Sequence, residues 1–182
     1  MKILITGITG LFGSYLAKEF AALGEIHGFR RSSSSLRLLD EIDFPITWHE
    51  GELSDIESIE LALEGMDIVV HAAGKVSFDA NDEESLHKSN VDGTINLVNA
   101  MLNSGVKKLV HISSVAAIGR SPELSKIDEN FKWVESPLNT DYGISKYLAE
   151  LEAWRGEQEG LDLIVVNPSI LLGKISDDRS SS

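Results

Sequence analysis

The sequence lacks cysteine altogether. Disulfide bonds, thiolate catalysis and cysteine-ligated zinc are therefore excluded, and the absence is in keeping with a cytoplasmic protein. Long hydrophobic runs are also missing, since none approaches the roughly 20 apolar residues that cross a bilayer. The first residues hold one lysine and a short apolar run before a glycine turn, so we expect that the chain does not begin with a signal peptide.

Positive charge is scarce as well. The chain has 16 lysines and arginines against 29 acidic residues, and its net charge is −13. This balance argues against nucleic acid and anionic membranes as partners, because both are bound through basic faces. With 182 residues, of which 42% are hydrophobic and 25% charged, we expect one ordinary globular domain. His71 and His111 lie in strand-like runs without metal-ligand spacing, so we expect packing residues and no metal site.

The most informative feature is a glycine turn near the N-terminus. An apolar, strand-like run ends at Thr6, three glycines follow at intervals of three, and an amphipathic helical pattern comes next. This order is typical of a pyrophosphate site, because glycines permit a tight turn and a close approach of backbone N–H groups, and the helix N-terminus adds partial positive charge. The predicted dinucleotide-binding residues of this turn are Gly7, Thr9, Gly10, Leu11, Phe12 and Gly13.

Strand-like and helix-like stretches alternate along the chain. The patterns predict strands at 3–6, 25–30, 46–50, 67–72, 108–113 and 161–167, and helices at 54–64, 82–104 and 141–159. Alternating units of this kind form an α/β fold of the Rossmann type, a doubly wound parallel sheet with helices on both faces. The apolar runs in 67–72 and 161–167 predict strands covered on both faces, and Ser54 with Glu57 predicts a capping box. We assign residues 1–175 to one dinucleotide-binding domain and 176–182 to a polar tail.

The end of the second predicted strand bears on the choice of cofactor. An acidic residue there binds the ribose 2′-hydroxyl of NAD, whereas basic residues suit the 2′-phosphate of NADP. This strand ends in Arg30, Arg31 and Ser32 without an acid, so the sequence predicts NADP(H), with NAD(H) as the alternative. After the third strand, Glu52 and Leu53 are predicted to border the adenine, although Glu52 is equally suited to a solvated turn.

A tyrosine and a lysine stand one helical turn apart in the 141–159 helix. Tyr142 and Lys146 would share one face and reach the same ligand. A free tyrosine is a poor acid–base catalyst at neutral pH, but a nearby ammonium favours its phenolate form. Lys146 is also placed to hold a ribose hydroxyl, so both residues are predicted to contact the cofactor. Ser114, which follows the predicted strand at 108–113, would bind a substrate oxygen at the same edge of the sheet.

Together these residues resemble the extended short-chain dehydrogenase/reductase family, the NAD(P)-dependent epimerases and dehydratases. The glycine turn matches the family motif TGxxGxxG, and residues 71–74 match the motif HxAA/G. Residues 90–94 match the motif NVxGT, and residues 142–146 match the motif YxxxK. Residues 113–119 match the segment of the catalytic serine, and 167–173 resemble RPxxxxG. The Arg30 region and residues 145–150 are most similar to the dihydroflavonol-4-reductase-like and 3β-hydroxysteroid-dehydrogenase-like branch.

The resemblance implies roles for individual residues. Tyr142 would donate or accept the proton, Lys146 would be its electrostatic partner, and Ser114 would bind the substrate oxygen. Asn90 would brace the active site from the fourth helix. The further cofactor-binding residues that the resemblance implies are Ala72, Ala73, Gly74, Asn167 and Pro168. Such proteins transfer hydride between C4 of the nicotinamide and a ketone or secondary alcohol.

The sequence departs from the family pattern at a few positions. Glu52 stands where aspartate is usual, and Asn167 replaces the arginine before proline. Val115 and Ala116 follow Ser114, where the 4,6-dehydratases carry an Asp-Glu pair, so dehydratase chemistry is disfavoured. Family members are commonly much longer than this sequence, and we therefore expect that the C-terminal part that covers the substrate is missing.

These observations predict an NADP(H)-dependent oxidoreductase that acts on a small carbonyl compound or secondary alcohol. Two alternatives stay open. One is a nucleotide-sugar epimerase that retains NAD, and the other is a dinucleotide-binding module without catalysis. The resemblance also implies a homodimer formed through the helices at 82–104 and 141–159.

Overall fold

A computed structural model describes residues 1–123 and 126–173 of the chain. Its centre is a six-stranded sheet in the order β3-β2-β1-β4-β5-β6, in which every pairing is parallel. The strands are β1 (Lys2–Thr6), β2 (Glu25–Arg30), β3 (Ile46–Glu50), β4 (Ile68–His71), β5 (Lys108–Ile112) and β6 (Asp162–Val166). The order reverses between β1 and β4, and the crevice at such a point is where α/β sheets bind ligands.

The helices connect successive strands across both faces of the sheet. They are α1 (Leu11–Phe20), α2 (Ile56–Leu63), α3 (Glu83–Leu86), α4 (Gly93–Ser104) and α5 (Asp141–Gln158), with short 3₁₀ turns at Arg37–Leu39, Ala80–Asp82 and Val115–Ile118. The predicted Rossmann-type fold is confirmed, and each predicted strand agrees with the observed one to within a residue at either end. The α4 helix ends at Gly105, whose left-handed backbone (φ 81°) suits glycine.

The predicted helix at 82–104 is helical in the structure but is not uniform. A π-helical segment at His87–Asp92 joins α3 to α4. Its backbone stays in the right-handed helical region, as Asp92 shows with φ −62°. Because a π turn holds more residues than an α turn, it re-aims the side chains that follow, and such segments are frequent at functional sites. The sequence pattern did not distinguish this segment from an ordinary helix.

Two apolar clusters hold the layers together, one on each face of the sheet. The first lies between the sheet and helices α2, α4 and α5, and Leu63, Val69 and Met101 are fully buried in it. The second lies on the α1 side, where Ile3, Ile5 and Ala17 are fully buried. Burial of this kind stabilises a domain by about 25 cal/mol for each Å² of apolar surface. The strand ends that carry polar side chains are thereby fixed relative to one another.

The predicted N-terminal cap of the α2 helix was wrong. The α2 helix is capped by Asp55, whose carboxylate accepts a hydrogen bond from the backbone N–H of Ser58 at 3.4 Å. The capping box of Ser54 and Glu57 is not formed, because the Ser54 hydroxyl donates to Glu52 instead.

The β6 strand also differs from the prediction, since only one of its faces is covered. Ile164 is 57% exposed and Val166 39% exposed. Both lie on the α1 side of the sheet, and α1 itself packs against β1. None of the helices in the described part of the chain combines the length and the apolar character of a membrane-spanning segment. The predicted polar tail at 176–182 lies outside the described residues.

Candidate active site and cofactor cleft

The glycine turn forms a cradle at the end of β1. Gly7 has a positive φ of 68°, and a Cβ atom there would lie 2.5 Å from the backbone nitrogen of Ala73. A Cβ on Gly13 would lie 2.1 Å from the carbonyl oxygen of Gly7. The Gly10 N–H closes the turn by donating to the Gly7 carbonyl at 3.0 Å. Only glycine fits at Gly7 and Gly13, and the next residues, Leu11 and Phe12, open α1 with backbone donors that have no partner within the helix.

A cleft of about 510 Å³ begins at this cradle and runs across the carboxyl ends of β1, β2 and β4. Ligand clefts in proteins typically measure 300–1,000 Å³. Of the predicted cofactor residues, those that line it are Gly7, Thr9, Gly10, Arg30, Arg31, Glu52, Leu53, Ala72, Ala73 and Gly74. A crevice at the switch point that starts at a glycine-lined helix N-terminus fits a dinucleotide.

The two arginines after β2 have different surroundings. Arg30 is tucked against the protein: its Nη2 donates to Glu50 at 2.6 Å, and its guanidinium lies 5.2 Å from the centre of the Trp48 ring. The side chain is only 16% exposed, so Glu50 already balances its charge. Arg31 is exposed and makes no ion pair with any residue that the structure describes. Arg31 is therefore the arginine that is available to an anionic ligand.

Ser32 does not line the cleft among the described residues, whereas Ser34 does. The Ser32 carbonyl oxygen instead accepts a hydrogen bond from Arg30 at 3.4 Å. Phe29 forms the wall beside Arg30, and Glu52 and Leu53 form the wall after β3. The Glu52 carboxylate accepts from the Ser54 hydroxyl at 3.4 Å, and the Leu53 carbonyl accepts from the Asn96 amide at 2.8 Å. These bonds hold the β3 loop in place at the cleft.

Lys146 lies next to Gly74, although it does not itself line the cleft among the described residues. A Cβ on Gly74, which lines the cleft, would lie 3.8 Å from Lys146 Nζ. The ammonium is buried and donates to the carbonyl oxygen of Ile112 at 2.8 Å. Burial is the main reason that the pKa of Lys146 is lowered to about 8, while the charge of Glu150 opposes this effect. Lys146 thus stays cationic at neutral pH but close to its titration range.

The first turn of α5, which carries Tyr142, packs against the Val115–Ile118 turn that follows Ser114. Thr140 caps α5 by accepting from Gly143 N–H at 3.1 Å, and a Cβ on Gly143 would lie 3.1 Å from the Ala116 carbonyl oxygen. Ser114 caps the facing turn, with its Oγ accepting from Ala116 N–H at 3.1 Å. That bond uses an oxygen lone pair and leaves the serine O–H free to donate to a substrate.

Asn90 connects the π segment to both sides of this site. Its Oδ1 accepts from Lys75 N–H at 2.7 Å, and its Nδ2 donates to the Lys75 carbonyl at 3.0 Å and to Ser145 Oγ at 2.9 Å. Ser145 in turn donates to the Tyr142 carbonyl at 2.8 Å. Asn90 is buried, so these bonds are made away from solvent. Asn90 thus joins the loop after β4 to the start of α5, and the bracing role that the family resemblance implies for it stays a prediction.

The loop after β4 contains contacts that the sequence did not reveal. Lys75 Nζ donates to Asp82 at 2.8 Å and to Ser85 at 2.7 Å, and Ser77 donates to Asp82 at 2.6 Å. The hydrogen bond from Lys75 is the largest cause of a pKa of about 2 for Asp82. The loop presents Phe78 edge-on to the Tyr142 ring at 5.8 Å. Adjacent opposite charges in one short segment were the available signal, but such pairs are common on solvated surfaces.

Asn167 and Pro168 are placed differently from the other cofactor residues that the resemblance implies. Asn167 Nδ2 donates to the backbone oxygen of Ser114 at 3.1 Å and to Glu150 at 2.9 Å. The Pro168 carbonyl accepts from Val115 N–H at 3.0 Å. Among the described residues, neither lines the cleft. Both instead tie the segment after β6 to the loop that holds Ser114.

His71 and His111 are buried under α4 and α5, in keeping with the predicted packing role. His71 Nδ1 contacts Thr6 Oγ1 at 2.7 Å, and its Nε2 contacts Thr94 Oγ1 at 3.1 Å. Neither nitrogen of His111 has a hydrogen-bond partner among the described residues. Burial, and then the charge of Lys146, lower the pKa of His71 to about 3 and that of His111 well below its usual value.

The lowered pKa values of these two histidines predict that the stability of the fold is sensitive to acid. Their folded-state pKa values lie below the unfolded value near 6.5, so protons bind the unfolded chain better, and stability is lost as the pH falls below 6.5. Between pH 7 and about pH 5 each histidine should cost about 2 kcal/mol of unfolding free energy. His111→Leu keeps the volume roughly constant and removes one of them. Urea unfolding at both pH values measures this effect. We expect that lowering the pH reduces the unfolding free energy of this variant by about 2 kcal/mol less than it reduces that of the natural chain.

Leu109 provides the control for this experiment, because it is buried on β5 like His111 but carries no titratable group. Leu109→Val should leave the difference between the two pH values as it is in the natural chain. If His111→Leu also left it unchanged, buried neutral His111 would not be a source of the acid sensitivity.

Comparison with known proteins places the chain in a family. The model of the NAD dependent epimerase/dehydratase family matches residues 3–182. The chain is 34% identical over 170 residues to a putative dihydroflavonol 4-reductase from Synechocystis sp., covering 93% of this chain and 49% of the relative. It is 35% identical over 176 residues to sterol demethylase protein B from Methylococcus capsulatus, covering 95% of this chain and 52% of the relative.

The solved structures give the same result for the fold. The crystal structure of gox2253 superposes with a TM-score of 0.80 at 35% identity, covering 91% of this chain and 50% of that one. The chain belongs to the NAD dependent epimerase/dehydratase family, the extended short-chain dehydrogenases/reductases that the motifs resemble. It spans about half the length of the curated relatives that it matches.

Proposed function

We propose that this chain is the cofactor-binding part of an NADP(H)-dependent oxidoreductase that interconverts a carbonyl compound and a secondary alcohol. The observation that carries the proposal is the position of Lys146, buried on the same helix as Tyr142 and adjacent to the Gly74 end of the dinucleotide cleft. A relative at 34% identity is a putative dihydroflavonol 4-reductase, which supports a reductase. The absence of an Asp-Glu pair after Ser114 counts against a dehydratase.

The chain's own residues supply binding and proton transfer. When bound, NADP(H) provides the hydride donor or acceptor. The Ser114 hydroxyl holds the substrate oxygen by donating a hydrogen bond. The Tyr142 phenol gives its proton to that oxygen during reduction and takes it back during oxidation. The Lys146 ammonium stabilises the phenolate that remains, and its own bond to the Ile112 carbonyl fixes it in place. This arrangement lowers the cost of proton transfer at a carbonyl oxygen near neutral pH.

The proposed preference for NADP(H) rests on Arg31. Arg31 lines the cleft and is free of ion pairs with the described residues, whereas Arg30 is held by Glu50. An exposed guanidinium at the end of β2 suits the 2′-phosphate of the adenosine ribose. Arg30 would then act indirectly by stacking on Trp48 and fixing the strand end from which Arg31 projects.

Arg31→Ala should weaken NADPH binding about tenfold or more, because a charge-assisted contact to phosphate is lost. NADH binding should stay the same, since NADH lacks the 2′-phosphate. Titration of both nucleotides by calorimetry measures this difference. Lys107→Ala is the control, because Lys107 precedes β5 at the opposite end of the strands and its loss changes the net charge equally. Equal losses for NADPH and NADH in Arg31→Ala would contradict the phosphate contact.

Turnover itself tests the proposed reaction. Purified protein with NADPH and a panel of aldehydes and ketones should show loss of NADPH absorbance that depends on the carbonyl compound. A nucleotide-sugar epimerase would instead retain NAD through purification and show no net change in nicotinamide absorbance. Nucleotide binding without turnover of any carbonyl compound would indicate a binding module and reject the reductase.

A further inference from the structure

Glu150 lies on α5 one turn beyond Lys146 and joins three elements of the fold. Its Oε2 accepts hydrogen bonds from Ser113 Oγ at 2.5 Å and from Asn167 Nδ2 at 2.9 Å. Its Oε1 accepts from Trp154 Nε1 at 3.3 Å. The first two donors follow β5 and β6 respectively, so one partly buried carboxylate ties both strand ends to the helix. Hydrogen bonds to an ionised acceptor are roughly twice as strong as neutral ones.

These contacts fix the backbone that carries Ser114. Ser113 directly precedes it, and Asn167 Nδ2 donates both to Glu150 and to the Ser114 carbonyl oxygen at 3.1 Å. Ser114 is therefore held through its neighbour in sequence and through its own carbonyl. The hydroxyl that binds the substrate oxygen in the proposed reaction has a position that depends on Glu150.

The same carboxylate acts on Lys146 through its charge. The titratable groups that interact with this ammonium through their charge are His71 on β4, His111 on β5 and Glu150 on α5, and Tyr142 lies one turn before it on the same helix. Both histidines are buried and uncharged at neutral pH. Glu150 is the acid whose charge opposes the effect of burial on Lys146. Without it, the buried ammonium would lose its compensating negative charge.

We propose that Glu150 is a positioning residue of the active site, which holds the Ser114 backbone by hydrogen bonds and keeps Lys146 in its cationic form. This inference rests on the proposed oxidoreductase function for its catalytic consequence. Its electrostatic consequence is independent of turnover and can be measured in the protein without nucleotide.

Glu150→Gln keeps the size and one acceptor oxygen of the side chain but removes its charge. NMR titration of isotope-labelled lysine ε-carbons, with the Lys146 signal assigned from Lys146→Arg, reports the protonation of this residue. We expect the pKa of Lys146 to fall from about 8 to about 7 or below. Glu152→Gln is the matched control, because Glu152 also lies on α5 but pairs with Arg155 at 2.8 Å. The pKa of Lys146 should not change in the control.

Glu150→Asp separates the effect of the hydrogen bonds on the Ser114 backbone from the effect of the charge on Lys146. It also provides a second variant if Glu150→Gln does not fold. It keeps the charge but shortens the reach to Ser113, so Lys146 should titrate nearly as in the natural chain while kcat falls. In Glu150→Gln the basic limb of the pH–kcat profile should move to lower pH, because Lys146 is needed in its protonated form.

An unchanged Lys146 titration in Glu150→Gln would overturn the electrostatic part, and full kcat in Glu150→Asp would overturn the positioning part. If the natural chain binds nucleotide but does not turn over any carbonyl compound, the proposed oxidoreductase function fails. The titration of Lys146 then still tests the electrostatic role of Glu150.

Discussion

Tyr142→Phe is expected to lower kcat for carbonyl reduction by at least about 100-fold, because positioned proton donors contribute factors of roughly 10²–10⁴. The substitution removes only the phenolic oxygen. The ring, with its edge-on contact to Phe78 at 5.8 Å, remains, and so does the backbone carbonyl that accepts from Ser145. Steady-state rates with NADPH and the best substrate of the carbonyl panel measure the change.

Tyr147→Phe is the matched control for this prediction. Tyr147 lies on the same helix, and its ring stacks on Trp133 with a centroid distance of 4.1 Å. Removing its hydroxyl should leave kcat unchanged. Nucleotide affinity should be similar in both variants, which would show that the cleft is intact. A Tyr142→Phe protein with full activity would reject Tyr142 as the proton donor.

Gly13→Ala is expected to disrupt the dinucleotide cradle. The added Cβ would lie 2.1 Å from the Gly7 carbonyl oxygen and 2.7 Å from the Ile8 Cα. Both neighbours are backbone atoms between β1 and α1, so they cannot move aside like a side chain, and the helix must shift away from the strand. We expect a loss of about 3 kcal/mol or more in unfolding free energy. Nucleotide binding should be lost with it, as calorimetry on the folded fraction would show.

Gly105→Ala distinguishes this collision from the general effect of replacing a glycine. Gly105 has a positive φ of 81°, but no atom lies within 4 Å of its Cβ position. Its replacement should therefore cost only about 1 kcal/mol, the penalty for a left-handed backbone in alanine. Urea unfolding compares the two variants directly. Similar losses in both would mean that α1 and β1 separate easily and that the close approach is unimportant.

The fold could be predicted from the sequence because its signals are local. Apolar runs such as that before Thr6 identify strands, and the glycines from Gly7 to Gly13 identify the only kind of turn that allows this approach of helix and strand. Parallel order then follows from the alternation of strands and helices. The exposed face of β6 was missed because an apolar run does not show what covers it, as Ile164 demonstrates.

The candidate site was predictable only where its residues stand close together in sequence. Tyr142 and Lys146 share one helix, so their spacing was informative. The engagement of Arg30 by Glu50 and the contacts of Glu150 with Ser113 and Asn167 join distant parts of the chain. Their geometry depends on strand register and helix packing, which no single segment specifies. The π segment around Asn90 was hidden for a related reason, since its composition is that of an ordinary helix.

The hydrogen bonds of His71 have a direction, which runs from Thr6 at the end of β1 to Asn90 in the π segment. The single hydroxyl proton of Thr94 is donated to the Asn90 carbonyl at 2.6 Å, so Thr94 can only accept from His71 Nε2. The Nδ1 of the neutral ring is then the acceptor for the Thr6 hydroxyl. The donors thus follow one another in one direction, from Thr6 at the end of β1 through His71 and Thr94 to the backbone carbonyl of Asn90 in the π segment. Replacing Thr6 or Thr94 would therefore leave one nitrogen of the buried His71 ring without its hydrogen-bond partner, at a cost of about 1–3 kcal/mol.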